Sequence, residues 1–293
     1  MLKAIIQKKA FSLIEFSIVL VIIGVLIVGI SAGDMLVKSS KLSAARSSTL
    51  SSPVVNIAGL ILWLEPSARD SFSSNQITEG SQIDNWFNRE PSNFATANNL
   101  STTASSDVVY KDIDIDNLPA VKFSGTGKMA LANFVDSAPS AATLVIVFKP
   151  LAEIGSVAFA IADSGLSSNA TSSISIKSNL VNLNAGTSVD SSATTNAASF
   201  VKDNKYVLMV YLNGASSKVF VNNTTEVGGS GAVLNCGSNL LNGLTIGTDK
   251  SGANGINAEI SEVIVYNRVL RDSEKIDVMS YLSKKYKITV TGA

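Results

Sequence analysis

The hydrophobic pattern divides the chain into one apolar segment near its start and a long region of short apolar runs. From residue 16 to residue 30 the only polar residue is Ser17. Counted from Phe11, the apolar stretch has about twenty residues, the length that crosses a bilayer as a helix. Since backbone groups in lipid must bond within their own segment, we predict a helix here despite the many valines and isoleucines.

Apolar residues continue at rough helical spacing beyond this stretch, at Leu36, Val37 and Leu42. The Ser-rich segment RSSTLSSPVVN follows, and its composition is typical of a helix end and a short linker. We therefore predict a helix over residues 11–47 and a linker over residues 48–56.

Residues 57–293 carry many short apolar runs separated by Gly, Asn, Ser and Asp, which predicts short strands in a sandwich or barrel. The runs are GLILWLE, AVKFSG, TLVIVFKP, SVAFAIAD, SISIKSN, YVLMVYLNG, SKVFVNNT, LTIGTD and AEISEVIVYNRVL. TLVIVF is apolar at consecutive positions, so we expect it at the centre of a sheet. SKVFVNN alternates, which predicts Val219 and Val221 on one face and Phe220 on the other.

The pattern changes to a helical period near the end of the chain. The apolar positions that share one helical face are Ile276, Met279, Leu282 and Tyr286. Asp272 or Ser273 would cap this helix, and Lys284 and Lys285 lie near its C-terminal end. The predicted fold is mainly β: a long N-terminal helix, an antiparallel β-sandwich of jelly-roll type over residues 57–293, and a C-terminal helix on the sandwich.

Composition excludes several kinds of chemistry. The 23 basic and 23 acidic residues give a formal charge of zero, so no basic excess indicates nucleic acid as a partner. The chain has no His, which excludes Ser-His-Asp triads and removes the commonest zinc ligand. Its single cysteine, Cys236, cannot form an intramolecular disulfide and is expected to be a small buried apolar residue.

One carboxylate, Glu15, lies near the start of the apolar stretch. At mid-bilayer depth a carboxylate costs about 2.5–3.5 kcal/mol on insertion scales. A plain transmembrane anchor, with Lys3, Lys8 and Lys9 in the cytoplasm, leaves Glu15 unexplained. A secretory signal peptide cleaved near residues 31–33 would have a longer apolar core than usual.

The segment KKAFSLIEFSIVLVIIGVL resembles the N-terminus of type IV pilins and of type II secretion pseudopilins. In that family a prepilin peptidase removes a short basic leader before a Phe, the new amino group is methylated, and the fifth mature residue is Glu. The resemblance implies a leader over residues 1–10, cleavage between Ala10 and Phe11, and Glu15 as the fifth residue. The amine of Phe11 on an incoming copy would then pair with Glu15 of a copy already in the filament, which makes the buried carboxylate far less costly.

Two positions differ from the family pattern. Ala10 stands where the family usually has Gly, and residues 11–52 contain no Pro, whereas many major pilins carry one. The missing Pro favours a pseudopilin or a minor pilin. The resemblance implies as partners other copies in a helical filament, the prepilin peptidase and the inner-membrane assembly machinery. The expected location is the inner membrane before assembly and a cell-surface filament afterwards, with a periplasmic pseudopilus as the alternative.

A second resemblance covers most of residues 57–288. The segments GLILWLEPSARDS, IDNWFNREPSNFATAN, LPAVKFSGTG, TLVIVFKP and GINAEISEVIVYNRVLRDSEKIDVMSYLSKKYKI occur in that order. This order resembles the laminin-G-like bacterial branch of the concanavalin A-like lectin/glucanase superfamily. It implies two curved antiparallel sheets packed face to face, and it adds a glycan or surface ligand to the expected partners.

Glucanases of that superfamily carry carboxylates spaced Glu-x-Asp-x-x-Glu, and this chain has no such triplet. The nearest pair, Glu259 and Glu262, would point to opposite faces of a strand and could not flank one glycosidic bond. We expect them to be surface or turn carboxylates and expect no enzymatic activity. Trp63 and Trp86 are expected in the core rather than stacked on sugars.

The segment DIDIDN places Asp112, Asp114 and Asp116 close together and makes them weak calcium candidates. An EF-hand would need Gly in place of Asn117 and Glu in place of Phe123. The simpler interpretation is an edge strand or loop with an acidic face, and a lectin-type calcium site stays open as the alternative. No other cofactor is expected.

Together these features predict a pilin-like filament subunit that polymerises through its helix and displays a lectin-like domain for surface adhesion. The alternative is a pseudopilin of a short periplasmic pseudopilus. A membrane-tethered glycan-active enzyme is the third hypothesis.

Overall fold

The structure is a computed structural model, and it describes residues 13–91, 98–102, 107–135, 139–155, 159–163, 173–177, 180–184, 192–194, 200–227, 235–238 and 240–293. The chain divides into two compact units, Met1–Ala44 and Ala45–Ala293. We call them the helical unit and the sandwich unit and describe each by itself.

Helix α1 is Leu13–Leu50, so it continues three residues beyond its predicted end at residue 47. Every residue from Leu13 to Ile30 is exposed in the single chain. The last turn belongs to the sandwich unit, where Ala45 is buried in a hydrophobic cluster. A 3-10 turn, Val54–Asn56, follows within the segment predicted as a linker.

The sandwich unit is built from short strands and one further helix, α2 (Asp272–Tyr286). In the described part of the chain the strands are β1 (Leu60–Leu64), β2 (Asn85–Trp86), β3 (Leu100–Thr102), β4 (Val108–Ile115), β5 (Leu118–Ser124), β6 (Met129–Leu131), β7 (Ala142–Pro150), β8 (Phe159–Asp163), β9 (Ser173–Lys177), β10 (Leu180–Asn184), β11 (Ser192–Thr194), β12 (Tyr206–Leu212), β13 (Lys218–Val221), β14 (Leu244–Ile246) and β15 (Asn257–Tyr266).

These strands form two antiparallel sheets. The first sheet has the order β13-β12-β7-β15-β5-β4, with β1 paired to the second half of β15. The second sheet has the order β11-β10-β9-β8-β14-β6-β3-β2. Each of the nine apolar runs predicted as strands contains one. The run TLVIVF lies in β7, between β12 and β15 and with both faces buried, so its predicted central position is confirmed.

Two hydrophobic cores lie on the two faces of the first sheet. The inner core fills the space between the sheets and contains Trp86 and Phe148. The outer core lies between the first sheet and α2, and the last turn of α1 contributes Ala45 to it. Alternation along β13 puts Val219 in the inner core and Phe220 in the outer core, as predicted. The mainly β fold with antiparallel sheets and a C-terminal helix is therefore confirmed.

The buried face of α2 differs from the prediction at one position. Met279, Leu282 and Tyr286 are buried, but Ile276 is 39% exposed. The preceding residue, Lys275, covers the sheet instead and is only 8% exposed, because its long aliphatic stem can pack on apolar surface.

The start of α2 also lies slightly earlier than expected. Arg271 is the N-cap residue, so the predicted caps Asp272 and Ser273 are already helical. The Arg271 backbone N–H donates to Glu274 Oε2 at 2.8 Å, and the Glu274 side chain also binds the guanidinium of Arg268 at 2.8 Å. The capping interaction therefore comes from a Glu inside the first turn reaching back to the cap.

Candidate functional site

The residues predicted to direct processing and assembly lie at the start of the chain. Ala10 and Phe11 are outside the described residues. Glu15 lies in the first turn of α1 and is exposed. Within the described residues α1 is the one helix that is long and apolar enough to cross a membrane, and a signal sequence near the N-terminus would share these properties.

The segment DIDIDN forms the end of β4 and a tight turn into β5. Asp116 and Asn117 have φ values of +57° and +61°, and Ile115 pairs with Leu118 across them. Two consecutive residues at positive φ are the signature of the two-residue type I′ hairpin turn, which Asn and Asp tolerate. Since β4 is at the edge of the first sheet, the edge-strand interpretation is confirmed.

Lysines lie against two of the calcium candidates. Lys149 binds Asp114 and also lies 2.6 Å from Glu259, and Lys205 Nζ is 3.9 Å from Asp116 Oδ1. No group of three or more acidic or cysteine side chains among the described residues is arranged to hold a metal ion. The described geometry therefore gives the calcium candidate no support.

The prediction for Glu259 and Glu262 is wrong in two respects. Both lie within β15, and both are buried, at 4% and 1% exposure. A β-bulge at Ser261 inserts one extra residue between them. Because the bulge shifts the alternation by one, the two carboxylates lie on the same face of the sheet, the face of the outer core.

Glu262 accepts hydrogen bonds from four side chains. Its Oε1 lies 2.7 Å from Trp63 Nε1 and 3.0 Å from the Tyr281 hydroxyl. Its Oε2 lies 2.9 Å from the Tyr286 hydroxyl and 2.9 Å from Lys285 Nζ. A carboxylate with this many donors is held in one orientation and has no access to a substrate.

Lys285 connects four elements of the sandwich unit. Besides Glu262, its Nζ lies 2.8 Å from Glu65 Oε1, at the end of β1, and 2.9 Å from Thr49 Oγ1, in the last turn of α1. The side chains of Lys285, Glu65 and Glu262 have no exposed surface. We call Glu65, Glu262, Lys285 and the groups that bind them the buried charge network.

Two carboxylates and one ammonium share this fully buried site. Burial alone would lower the pKa of Lys285, but Glu262 and Glu65 raise it well above its ordinary value, so the ammonium stays charged. Burial raises the pKa of Glu262. Glu65 is equally buried, yet Lys285 and Ser67 together hold its pKa below the ordinary value. A fully buried ammonium paired with two carboxylates is out of reach of a substrate, and it joins the elements that carry its partners.

Sequence reasoning missed this network, although one signal was present. Lys285 follows Val278 by seven residues and Tyr281 by four, so it falls on the buried face of α2. A basic residue there is expected to meet an acidic partner in the core. Glu65 carried a weaker signal, since it directly follows the buried strand β1.

The remaining candidate residues are located as predicted. Trp63 is buried in the outer core and Trp86 in the inner core, so neither indole is open for sugar stacking. Cys236 is buried, with its Sγ 2.9 Å from the hydroxyl of Ser217.

No family model matches the sequence, and no curated protein matches it. Among solved structures, the fold is similar to a Trypanosoma rangeli sialidase in complex with the inhibitor DANA, with a TM-score of 0.52, 17% identity and coverage of 78% of this chain and 34% of the sialidase. A second structure of Trypanosoma rangeli sialidase matches with a TM-score of 0.51 and 18% identity, and the match covers 86% of this chain and 39% of the sialidase. The binding domain of botulinum neurotoxin serotype D/C VPI 5993 matches with a TM-score of 0.52 and 15% identity, and the match covers 77% of this chain and 52% of that domain. The chain therefore spans between about a third and a half of the length of these proteins, and what it shares with them is the β-sandwich fold.

Proposed function

We propose that this chain is a pilin-like filament subunit that polymerises through α1 and displays the sandwich unit for surface adhesion. Cleavage between Ala10 and Phe11 would create the amine that assembly uses. The subunit would lie in the inner membrane before assembly and in a cell-surface filament afterwards.

The observation that carries the proposal is the exposure of α1 around its whole circumference. Every residue from Leu13 to Ile30 is exposed, and the apolar side chains among them range from 45% to 86% exposed. Such a surface is stable only against lipid or against other helices. Glu15 lies within this surface, where a helix that only anchored the chain would have no need of a carboxylate.

In an assembled filament, Glu15 would have a cationic partner on a neighbouring copy. In a bundle of parallel helices, the cationic amine of Phe11 on one copy can approach Glu15 of its neighbour. In surroundings of low dielectric such a pair is strongly favoured over two separated charges. Helix packing supplies the contact area, and the ion pair selects one register between neighbours.

The other end of α1 is suited to display. Its last turn contributes Ala45 to the outer core, and Thr49 accepts a hydrogen bond from Lys285. Arg46 donates to the carbonyl of Ser67 at 2.7 Å. The helix therefore ends inside the folded sandwich unit, where buried contacts hold its last turn.

Binding rather than catalysis is the role we assign to the sandwich unit. The carboxylates nearest to a glucanase pattern, Glu259 and Glu262, are both buried and paired with lysines. Carboxylates held in this way cannot protonate a leaving group or activate water beside a sugar.

The test replaces the assembly carboxylate. Glu15→Ala is expected to leave the protein in the membrane fraction and to abolish filaments in the fraction sheared from cells. Ser17→Ala is the control, because the Ser17 hydroxyl donates to the Ile14 carbonyl of its own helix at 2.8 Å, and loss of this bond should leave assembly intact. Normal filaments from Glu15→Ala would overturn the proposal, and retention of wild-type protein in the envelope without sheared filaments would indicate the pseudopilus instead.

A further inference from the structure

A groove opens in the sandwich unit between the edge strand β13, the end of β12 and the first turns of α2. Its volume is about 790 Å³, within the range of about 300–1,000 Å³ typical of small-ligand pockets. Its described lining residues all lie outside the buried charge network. The neutral polar side chains along it are Asn213, Ser216, Thr224 and Thr225.

Tyr211 forms one wall of the groove and carries a hydroxyl that lacks a partner. The residue is only 5% exposed, and its hydroxyl has no hydrogen-bond partner among the described residues. Burial raises the pKa of Tyr211, so the phenol stays neutral and able to donate. Buried hydroxyls are normally paired, so this one has a hydrogen bond left to offer to a group that binds in the groove.

Among the described lining residues, three basic side chains and two acidic ones leave an excess of one positive charge. Lys218 pairs with Glu226 at 3.3 Å, and Lys275 pairs with Asp272 at 2.9 Å. Arg271 also lines the groove, is exposed, and forms no ion pair within the described part of the chain. An arginine with its fork of donors open to the groove suits a carboxylate better than a neutral group.

One of the two lysines in the groove, Lys275, is fixed in place before any ligand arrives. Lys275 Nζ lies 4.8 Å from the centre of the Phe220 ring, and the ring of Tyr211 packs edge-on against Phe220 at 5.0 Å. A cation held over an aromatic ring loses little freedom when it binds an anion.

From these features we infer that the groove binds an acidic saccharide, with Arg271 and Lys275 on its carboxylate and Tyr211 with the neutral polar side chains on its hydroxyls. This inference rests on the binding role proposed for the sandwich unit and does not depend on assembly of the helix.

The test compares two oligosaccharides of equal length by isothermal titration calorimetry on the full chain in detergent micelles. The probes are a hyaluronan tetrasaccharide, which carries carboxylates, and chitotetraose, which is neutral. The acidic probe is expected to bind at least about tenfold more tightly, because charge-assisted hydrogen bonds are the stronger ones.

Single substitutions then test whether hyaluronan binds in this groove. Arg271→Gln is expected to weaken hyaluronan binding at least about tenfold, and Tyr211→Phe about threefold to tenfold. Tyr211→Phe removes a hydroxyl without a partner, so its melting temperature should not fall. Lys284→Gln is the matched control, because Lys284 is an exposed lysine at the far end of α2, outside the groove.

The possible outcomes separate this inference from the proposed function. Equal binding of both probes, or unchanged binding by Arg271→Gln and Tyr211→Phe, would overturn the acidic-saccharide groove while leaving adhesion through another surface. Absence of hyaluronan binding by the wild-type chain would also overturn it, whereas filament assembly is decided separately by the Glu15 variant.

Discussion

Lys285, in the C-terminal helix, and Glu65, at the end of the first strand, form an ion pair with 2.8 Å between Nζ and Oε1, and neither side chain has exposed surface. The two residues are 220 positions apart in the chain. The pair therefore joins the beginning and the end of the sandwich unit in its interior.

Removal of the lysine should be costly. Lys285→Met fills similar space but leaves Glu65 and Glu262 together without their cation. Breaking a buried ion pair from one side costs about 3–5 kcal/mol, so we expect the free energy of unfolding to fall by about that amount. Trp63 and Trp86 both lie in the sandwich unit, so tryptophan fluorescence during urea unfolding reports it.

Two comparisons make this result specific. Lys284→Met, at an exposed position next in sequence, should change stability by no more than about 0.5 kcal/mol. Adding Glu65→Gln to Lys285→Met should recover part of the loss, because one of the unpaired carboxylates is then neutral. A Lys285→Met protein as stable as wild type would show that the ammonium is dispensable.

Glu274, in the first turn of α2, should make the folding stability depend on pH in the acidic range. Hydrogen bonds from Arg268 bring the pKa of Glu274 to about 2, below its ordinary value of 4.5. A lowered folded-state pKa stabilises the fold above the ordinary value, and this contribution is lost as the pH falls toward 2.

Glu274→Gln should therefore cost about 0.5–2 kcal/mol near pH 7, the usual value of a helix cap, and progressively less between pH 4.5 and 2. Thermal melts across this pH range measure the difference. Asp277→Asn removes one charge from an exposed position of the same helix and should show no such trend. A constant difference at all pH values would contradict the assignment.

A close backbone approach at Gly255 should tolerate no side chain. A Cβ atom there would lie 1.5 Å from the carbonyl oxygen of Gly125, which cannot move without disturbing the end of β5. Gly255→Ala is expected to destabilise the sandwich unit by about 3 kcal/mol or more. A Cβ at Gly155 would meet no atom within 4 Å, so Gly155→Ala should be nearly neutral in the same urea titration.

Processing can be checked directly at the N-terminus. We expect sequencing of the mature protein to start at Phe11 with a methylated amine. Ala10→Gly restores the residue usual in the pilin family and should raise the fraction cleaved in pulse-labelled cells. A mature chain that begins at Met1, or near Asp34, would contradict the pilin-like proposal.

The strands were largely predictable because burial selects apolar β-formers in recognisable runs. The runs containing Leu62, Ile146 and Val210 each gave a strand where one was predicted. Shorter strands such as β2, β3 and β6 have two or three residues, too few for a period to be visible. Their positions are set by the partners across the sheet.

The buried charge network was only partly predictable from local pattern. Lys285 lies on the buried face of α2, which is a local signal, but nothing near it in the sequence identifies Glu65, 220 positions away, as its partner. The burial of each charge is stable only because the two meet across the fold. The error at Glu262 has a local cause, since a bulge leaves no clear mark in the sequence and reverses the expected face.

That extra residue, Ser261, decides which face of the sheet each later side chain of β15 occupies. If the strand alternated regularly over the same sequence, Glu262 would lie between the two sheets, and Val263 and Val265 would leave the inner core. Deleting Ser261 would instead keep these faces, because Glu259 and Glu262 would then be two positions apart. One irregularity of the backbone thus keeps the carboxylate and the two valines on opposite sides of the sheet.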